Sequence, residues 1–186
     1  MQAIDLLLQR RSAKTLIEPG PDHGSLALLL ESAARAPDHG RLRPWRFIVI
    51  QGPARARFGE LMAEQLRRVR PASTPEALER ERQKAFRAPL IIAVAAVCDP
   101  QAKVPQIEQV LSAGSAAGNI LLAAKALGFN AVWKTGAAAY DETIKTSLGL
   151  NAKDSIVAFL YVGTEAADAA PPTPTEWRDR VILWNG

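Results

Sequence analysis

The chain has 186 residues, of which 48% are apolar, 23% charged and 6% aromatic, and a formal net charge of +4. That length and balance suit one globular domain with a substantial core. Acids interspersed among the bases, no long Lys/Arg block and few aromatic residues all argue against a nucleic-acid binder.

A single cysteine, Cys98, rules out an intrachain disulfide, and its place at the end of an apolar strand predicts a packed thiol rather than a nucleophile. The N-terminal apolar stretch is too short and too acidic for a signal peptide, and no apolar run approaches membrane-spanning length. A cytoplasmic protein is expected.

Taken in order, Ile4, Leu7 and Leu8 recur at helical spacing over residues 3–11, with Leu6 widening the stripe. The helix runs into Arg10, Arg11, Ser12, Ala13 and Lys14. Cations there complement the helix dipole, but Arg10 with the Ser12 hydroxyl also suits a phosphate, since guanidinium groups match phosphate oxygens. A turn at Pro19 to Gly24 precedes a helix opened by Gly24 or Ser25, carrying Leu26, Leu29, Leu30 and Ala33 and ending before Arg35.

Pro37 and Pro44 bar a helix between them, so residues 36–44 read as an ordered loop with His39, Arg41 and Arg43 against the lone acid Asp38. Such a loop is either a solubilising surface or an anion site at the entrance of the strand that starts at Trp45. A helix follows over residues 54–69. The charge-rich run from Arg70 to Arg87 reads as a solvated helix with internal charge pairs.

Leu90 to Val97 is apolar on both faces and predicts a central strand. The longest helical pattern covers residues 104–127, and its run Ser112 to Gly118 consists entirely of residues no larger than serine, which suggests a helix packed on nearly all sides in the core or across a dimer interface. Glu108 near its start is expected to be paired. Asn130 to Trp133 is a short strand leading into Lys134, Thr135 and Gly136, Tyr140 to Leu148 a short helix, and Ser155 to Val162 a last core strand. Beyond it, a Pro/Ala/Thr-rich stretch leads to EWRDRVILW, a β-prone end expected to dock elsewhere, such as on a partner subunit.

Helices separate most strands, so the order suits an α/β or α+β layered fold. No metal-site spacing, hydrolytic triad signature or dinucleotide fingerprint is present. Three cationic, hydrogen-bonding clusters remain: Arg10 to Lys14, Arg35 to Arg43, and Trp133 to Gly136. They would suit an anionic cofactor that carries its own reactivity.

Five segments occur in an order that resembles the nitroreductase family of flavoproteins: RRSAKTL, APDHGRLRPWRFIVI, RAPLIIAV, AKALGFNAVWKTG and IVAFLYVGT. The similarity covers most of the chain. It implies a single α+β domain over residues 1–186, with a central, mainly antiparallel sheet flanked by helices. It also implies an intertwined homodimer that holds FMN at the subunit interface, with the tail, about residues 165–186, docking on the partner subunit. By the same resemblance, Arg10, Arg11 and Ser12 match the phosphate and ribityl segment, and Lys14 the basic residue beside the flavin pyrimidine. Arg35 and His39 match residues that reach the cofactor across the interface. Trp133, Lys134, Thr135 and Gly136 match the segment lining the isoalloxazine.

No protein nucleophile is implied; the flavin carries the chemistry. The activity implied is ping-pong hydride transfer from NADH or NADPH through flavin N5 to nitroaromatic, quinone or other electron-poor acceptors. A flavin dehydrogenase or dehalogenase with an unrelated substrate, and a non-catalytic flavin-binding dimer, are the alternatives. Many members carry Asn and Gln where this chain has Arg41 and Arg43. Arg178 or Arg180 could supplement the phosphate site.

Overall fold

The computed structural model describes residues 2–166 and 175–186. Its centre is a five-stranded sheet in which every pairing is antiparallel, ordered β1 (Leu16–Ile17), β5 (Ser155–Glu165), β3 (Leu90–Ala96), β2 (Trp45–Gln51), with β4 (Asn130–Lys134) also paired to β5. The α+β expectation therefore holds. β5 is the hub, since β1, β3 and β4 all hydrogen-bond to it.

The central strand β3 is buried along its whole length, and its side chains alternate between two cores, as the period of two requires. Ile91, Ala93 and Ala95 face a layer built on α3 (Pro53–Val69) and α6 (Glu142–Ser147), where Phe58 and Phe159 pack at a centroid separation of 5.1 Å. Leu90, Ile92 and Val94 face α2 (His23–Ala33) and α5 (Gln106–Ala126), through Leu29, Ala113, Ala117 and Ile120. The small residues of α5 let its backbone lie close on the sheet. Its far side, with Ile107 and Leu111, is exposed, so within one chain α5 is packed on one side rather than nearly all round.

Several boundaries differ from expectation for local reasons. α2 starts at His23, ahead of Gly24 and Ser25, because the Asp22 carboxylate accepts the Ser25 N–H at 2.7 Å. Asp141 accepts the Ile144 N–H at 2.9 Å, so α6 starts after Tyr140 rather than at it. The run from Arg70 to Arg87 splits into α4 (Pro75–Gln83), capped by Thr74, and a 3-10 turn (Lys84–Phe86). The segment EWRDRVILW forms no strand: it holds one 3-10 turn at Arg178–Arg180, and Ile182, Leu183 and Trp184 are exposed. The Pro/Ala/Thr-rich part of the tail expectation, 167–174, lies outside the described residues.

β5 runs three residues past Val162 because β1, too short to stand out in the sequence, pairs with Thr164 and Glu165. Close approach at this junction requires glycine. A Cβ on Gly163 would lie 2.7 Å from Pro89 Cδ and 3.0 Å from the Ile17 carbonyl oxygen. Gly163→Ala is expected to destabilise the fold by about 1–3 kcal/mol, the range of an overpacked core site. Urea denaturation checks this; an unchanged midpoint would show that the strands can part without penalty.

Candidate functional site

The N-terminal cationic segment is strapped to the sheet. The Arg11 guanidinium makes a two-pronged ion pair with Glu165 at the end of β5, both N–H···O distances being 2.7 Å, and Asn130 Nδ2 donates to the same carboxylate at 2.7 Å. Next to it, the Ala13 N–H donates to the Ala131 carbonyl at 3.2 Å, and Ala13 itself is buried. Pinned on both sides, the segment leaves Ser12 and Lys14 exposed. Arg11 is thereby committed within the chain, whereas Arg10 pairs with no carboxylate among the described residues.

Ser12 and Lys14 line a depression of about 550 Å³ together with Val132 and Lys134 of β4, Arg87 and Tyr161. Among the described residues no carboxylate lines it. A second depression of about 370 Å³ adjoins it, sharing Arg87, Lys134 and Tyr161 and continuing along Thr135 and Gly136 to Gln65 of α3. Its one acid among the described residues, Glu81, is taken up by Lys84. Gly136 has φ 67°, a left-handed conformation, and nothing within 4 Å of where a Cβ would stand, so its backbone is open to a ligand.

Two of the three sequence clusters thus converge, although they come from opposite sides of the long helix α5. Trp133 takes no part in either depression; its strand neighbours Val132 and Lys134 do, and side chains alternate along β4. Arg35 and His39 are not brought to the cleft of their own chain. Arg35 is exposed just past α2, and His39 Nδ1 lies 2.6 Å from Glu108 Oε2, which gives Glu108 its expected partner.

The loop carrying His39 is ordered, as its prolines require. Asp38 accepts the Arg43 N–H at 2.8 Å, and Arg46 donates to the carbonyls of Arg43 and Trp45. Arg41 and Arg43 hold positive φ angles of 55° and 50°, a conformation that side chains other than glycine adopt at some cost. Cys98 is partly buried, and that burial pushes its thiol above the ordinary range, in keeping with a packed thiol.

Sequence reading missed Arg87 and Tyr161. Arg87 was grouped with a charge-rich run in which Arg82 and Lys84 do find carboxylates, Glu79 and Glu81 within the run and Glu60 on α3. The available signal was its position at the mouth of a buried strand, the same kind of position that drew attention to Arg43. Tyr161 is hidden in an apolar run, where only its hydroxyl sets it apart.

Hydroxyl, ammonium and guanidinium donors without a free carboxylate, next to exposed backbone, make this an anion-receptive cleft with room for a ring system. The molecule is an α+β protein whose cleft suits a phosphate-bearing aromatic group. Residues 7–164 match the sequence profile of the Nitroreductase family. A protein of Escherichia coli (strain K12) named "Putative NAD(P)H nitroreductase YdjA" is 40% identical over 179 residues, covering 94% of this chain and 97% of its own. The nitroreductase-like family protein from Bacillus cereus superposes with a TM-score of 0.83 at 22% identity, over 100% of this chain and 97% of that one. The FMN and NADPH-dependent nitroreductase NfnB from sphigopyxis sp. strain HMH gives 0.77 at 21% identity, over 100% of both chains. The chain belongs to the nitroreductase family.

Burial pushes the Tyr161 phenol from 10.0 up to about 12, with the nearby positive charge of Arg87 opposing the shift. In the unfolded chain the phenol ionises first, so the stability gained by keeping it neutral is full below about pH 10 and drains away as pH rises toward 12. Tyr161→Phe is therefore expected to flatten the alkaline fall in stability across that window. Denaturation midpoints measured against pH test this, and an identical alkaline limb in the variant would contradict it.

Proposed function

We propose that this chain is an FMN-dependent oxidoreductase that takes reducing equivalents from NADH or NADPH. The observation carrying this reading is the convergence of Ser12 and Lys14 with Lys134, Thr135 and Gly136 on one carboxylate-poor cleft, in a member of the nitroreductase family. When bound, FMN supplies ping-pong hydride chemistry, accepting at N5 from the nicotinamide and delivering to a nitroaromatic, quinone or other electron-poor acceptor.

The protein's part is to bind, orient and bias. Arg10 and Ser12 hold the phosphate; neither side chain has a partner among the described residues, whereas Arg11 serves by fixing the segment on Glu165. Lys14 sets a cation against the pyrimidine edge, where negative charge grows on reduction. The Thr135 and Gly136 N–H groups orient the ring, with Lys134 beside them and Trp133 supporting the strand end from its other face. No side chain acts as a nucleophile.

We further propose a homodimer in which Arg35 and His39 of each protomer reach the cofactor of the other. The apolar surface left open supports it: Ile4 and Leu8 of α1 (Ala3–Gln9), Ile107 and Leu111 of α5, and Leu183 and Trp184 of the tail are all more than half exposed, a combination a lone soluble chain rarely presents. The tail docks on the partner subunit. No helix among the described residues is long and apolar enough to cross a membrane; a cytoplasmic location is part of this proposal.

Purified protein reconstituted with FMN is expected to be yellow and to bleach on anaerobic addition of NADH or NADPH. A yellow protein that neither nicotinamide reduces would instead favour a non-catalytic flavin-binding dimer, and a protein that stays colourless with excess FMN would refute the cofactor. Arg10→Ala is expected to weaken FMN retention by roughly 1.5–3 kcal/mol, the worth of a charged hydrogen bond. Unchanged affinity, measured by flavin fluorescence, would remove Arg10 from the phosphate site.

A further inference from the structure

Among the described residues, three line both depressions: Lys134, Tyr161 and Arg87. Arg87 differs from Arg82 and Lys84, the two basic residues just before it, in what it lacks. Arg82 is held by Glu60 and Glu79, and Lys84 by Glu81, but Arg87 pairs with no carboxylate among the described residues. Its backbone, meanwhile, is fixed. The Ala88 carbonyl accepts Arg55 Nη1 at 2.9 Å, and Pro89 is wedged against Gly163 with no room for a methyl group between them.

A guanidinium on so rigid a stem, uncompensated and close enough to bias the ionisation of the Tyr161 phenol, has no role in holding the fold together that the structure reveals. It faces the place where two anion-receptive depressions meet. We propose that Arg87 is a further cofactor-binding residue, a fixed cation at the junction of the two depressions that favours the reduced, more negatively charged flavin over the oxidised one. This rests on the FMN reading of the cleft. Beyond that reading, it gives a site role to a residue outside the three sequence clusters, with a consequence for redox poise as well as affinity.

The test compares wild type with Arg87→Met and Arg87→Lys, each as apo-protein titrated with FMN and each, once loaded, equilibrated against a reference dye under slow anaerobic reduction. Arg87→Met is expected to weaken FMN binding about ten- to fiftyfold, the scale of one charged hydrogen bond, and to make the bound flavin's potential more negative. Arg87→Lys should recover most of both, because it keeps the charge. Thermal melts of the apo-proteins check folding, and Arg87→Gln replaces Met if Met lowers stability.

Wild-type affinity and potential in the charge-removed variant would overturn the proposal while leaving the FMN reading intact. So would weaker binding at an unchanged potential that lysine fails to rescue, since that pattern marks a structural role. Failure of wild type itself to bind FMN would overturn both.

Discussion

The ion pair between Arg11 and Glu165 is the constraint on which the rest of the site depends. Both side chains are mostly shielded from water, the geometry is two-pronged, and Asn130 occupies a further lone pair of the carboxylate. Such a pair gains little relative to an apolar substitute but is costly to break on one side, because the survivor is left as a shielded, uncompensated charge. Its value here is one of position. It ties a segment that is otherwise loop to the last strand of the sheet and to the start of β4, and so lets Ser12 and Lys14 share a cleft with Lys134.

The arrangement also separates two adjacent arginines by function. Arg11 has spent its donors on an acid inside the chain, while Arg10 pairs with no carboxylate among the described residues. The same division recurs between α4 and β3, where Arg82 and Lys84 are neutralised locally and Arg87 is not. A cation matters to a ligand chiefly when no neighbouring acid has claimed it, so the pairing pattern tells more about the cleft than the number of charges does.

Much of this was legible from the sequence. The strands at Trp45, Leu90 and Ser155 stand out by apolar continuity, and the clusters at Arg10 to Lys14 and Lys134 to Gly136 by composition. What could not be read were features defined by distant partners. Nothing near Arg11 announces Glu165, and nothing near Arg87 shows that its neighbours' charges are cancelled while its own is not. β1 is two residues long and has no periodicity to detect. Asp22 and Asp141 were readable as caps in principle, but a helix start competes with several adjacent polar residues and shifts by one or two positions.

The hub position of β5 bears on how the protein is made. Both walls of the cleft, the N-terminal segment through Leu16 and Arg11 and the β4 end through its pairing, are anchored to the strand that is synthesised last. A chain still emerging from the ribosome has nothing to hold residues 10–14 against residues 134–136 until Glu165 is free to pair. Contacts of such long sequence separation form late, after the entropy of closing the loop has been met. The cleft itself is therefore complete only once β5 has joined the sheet.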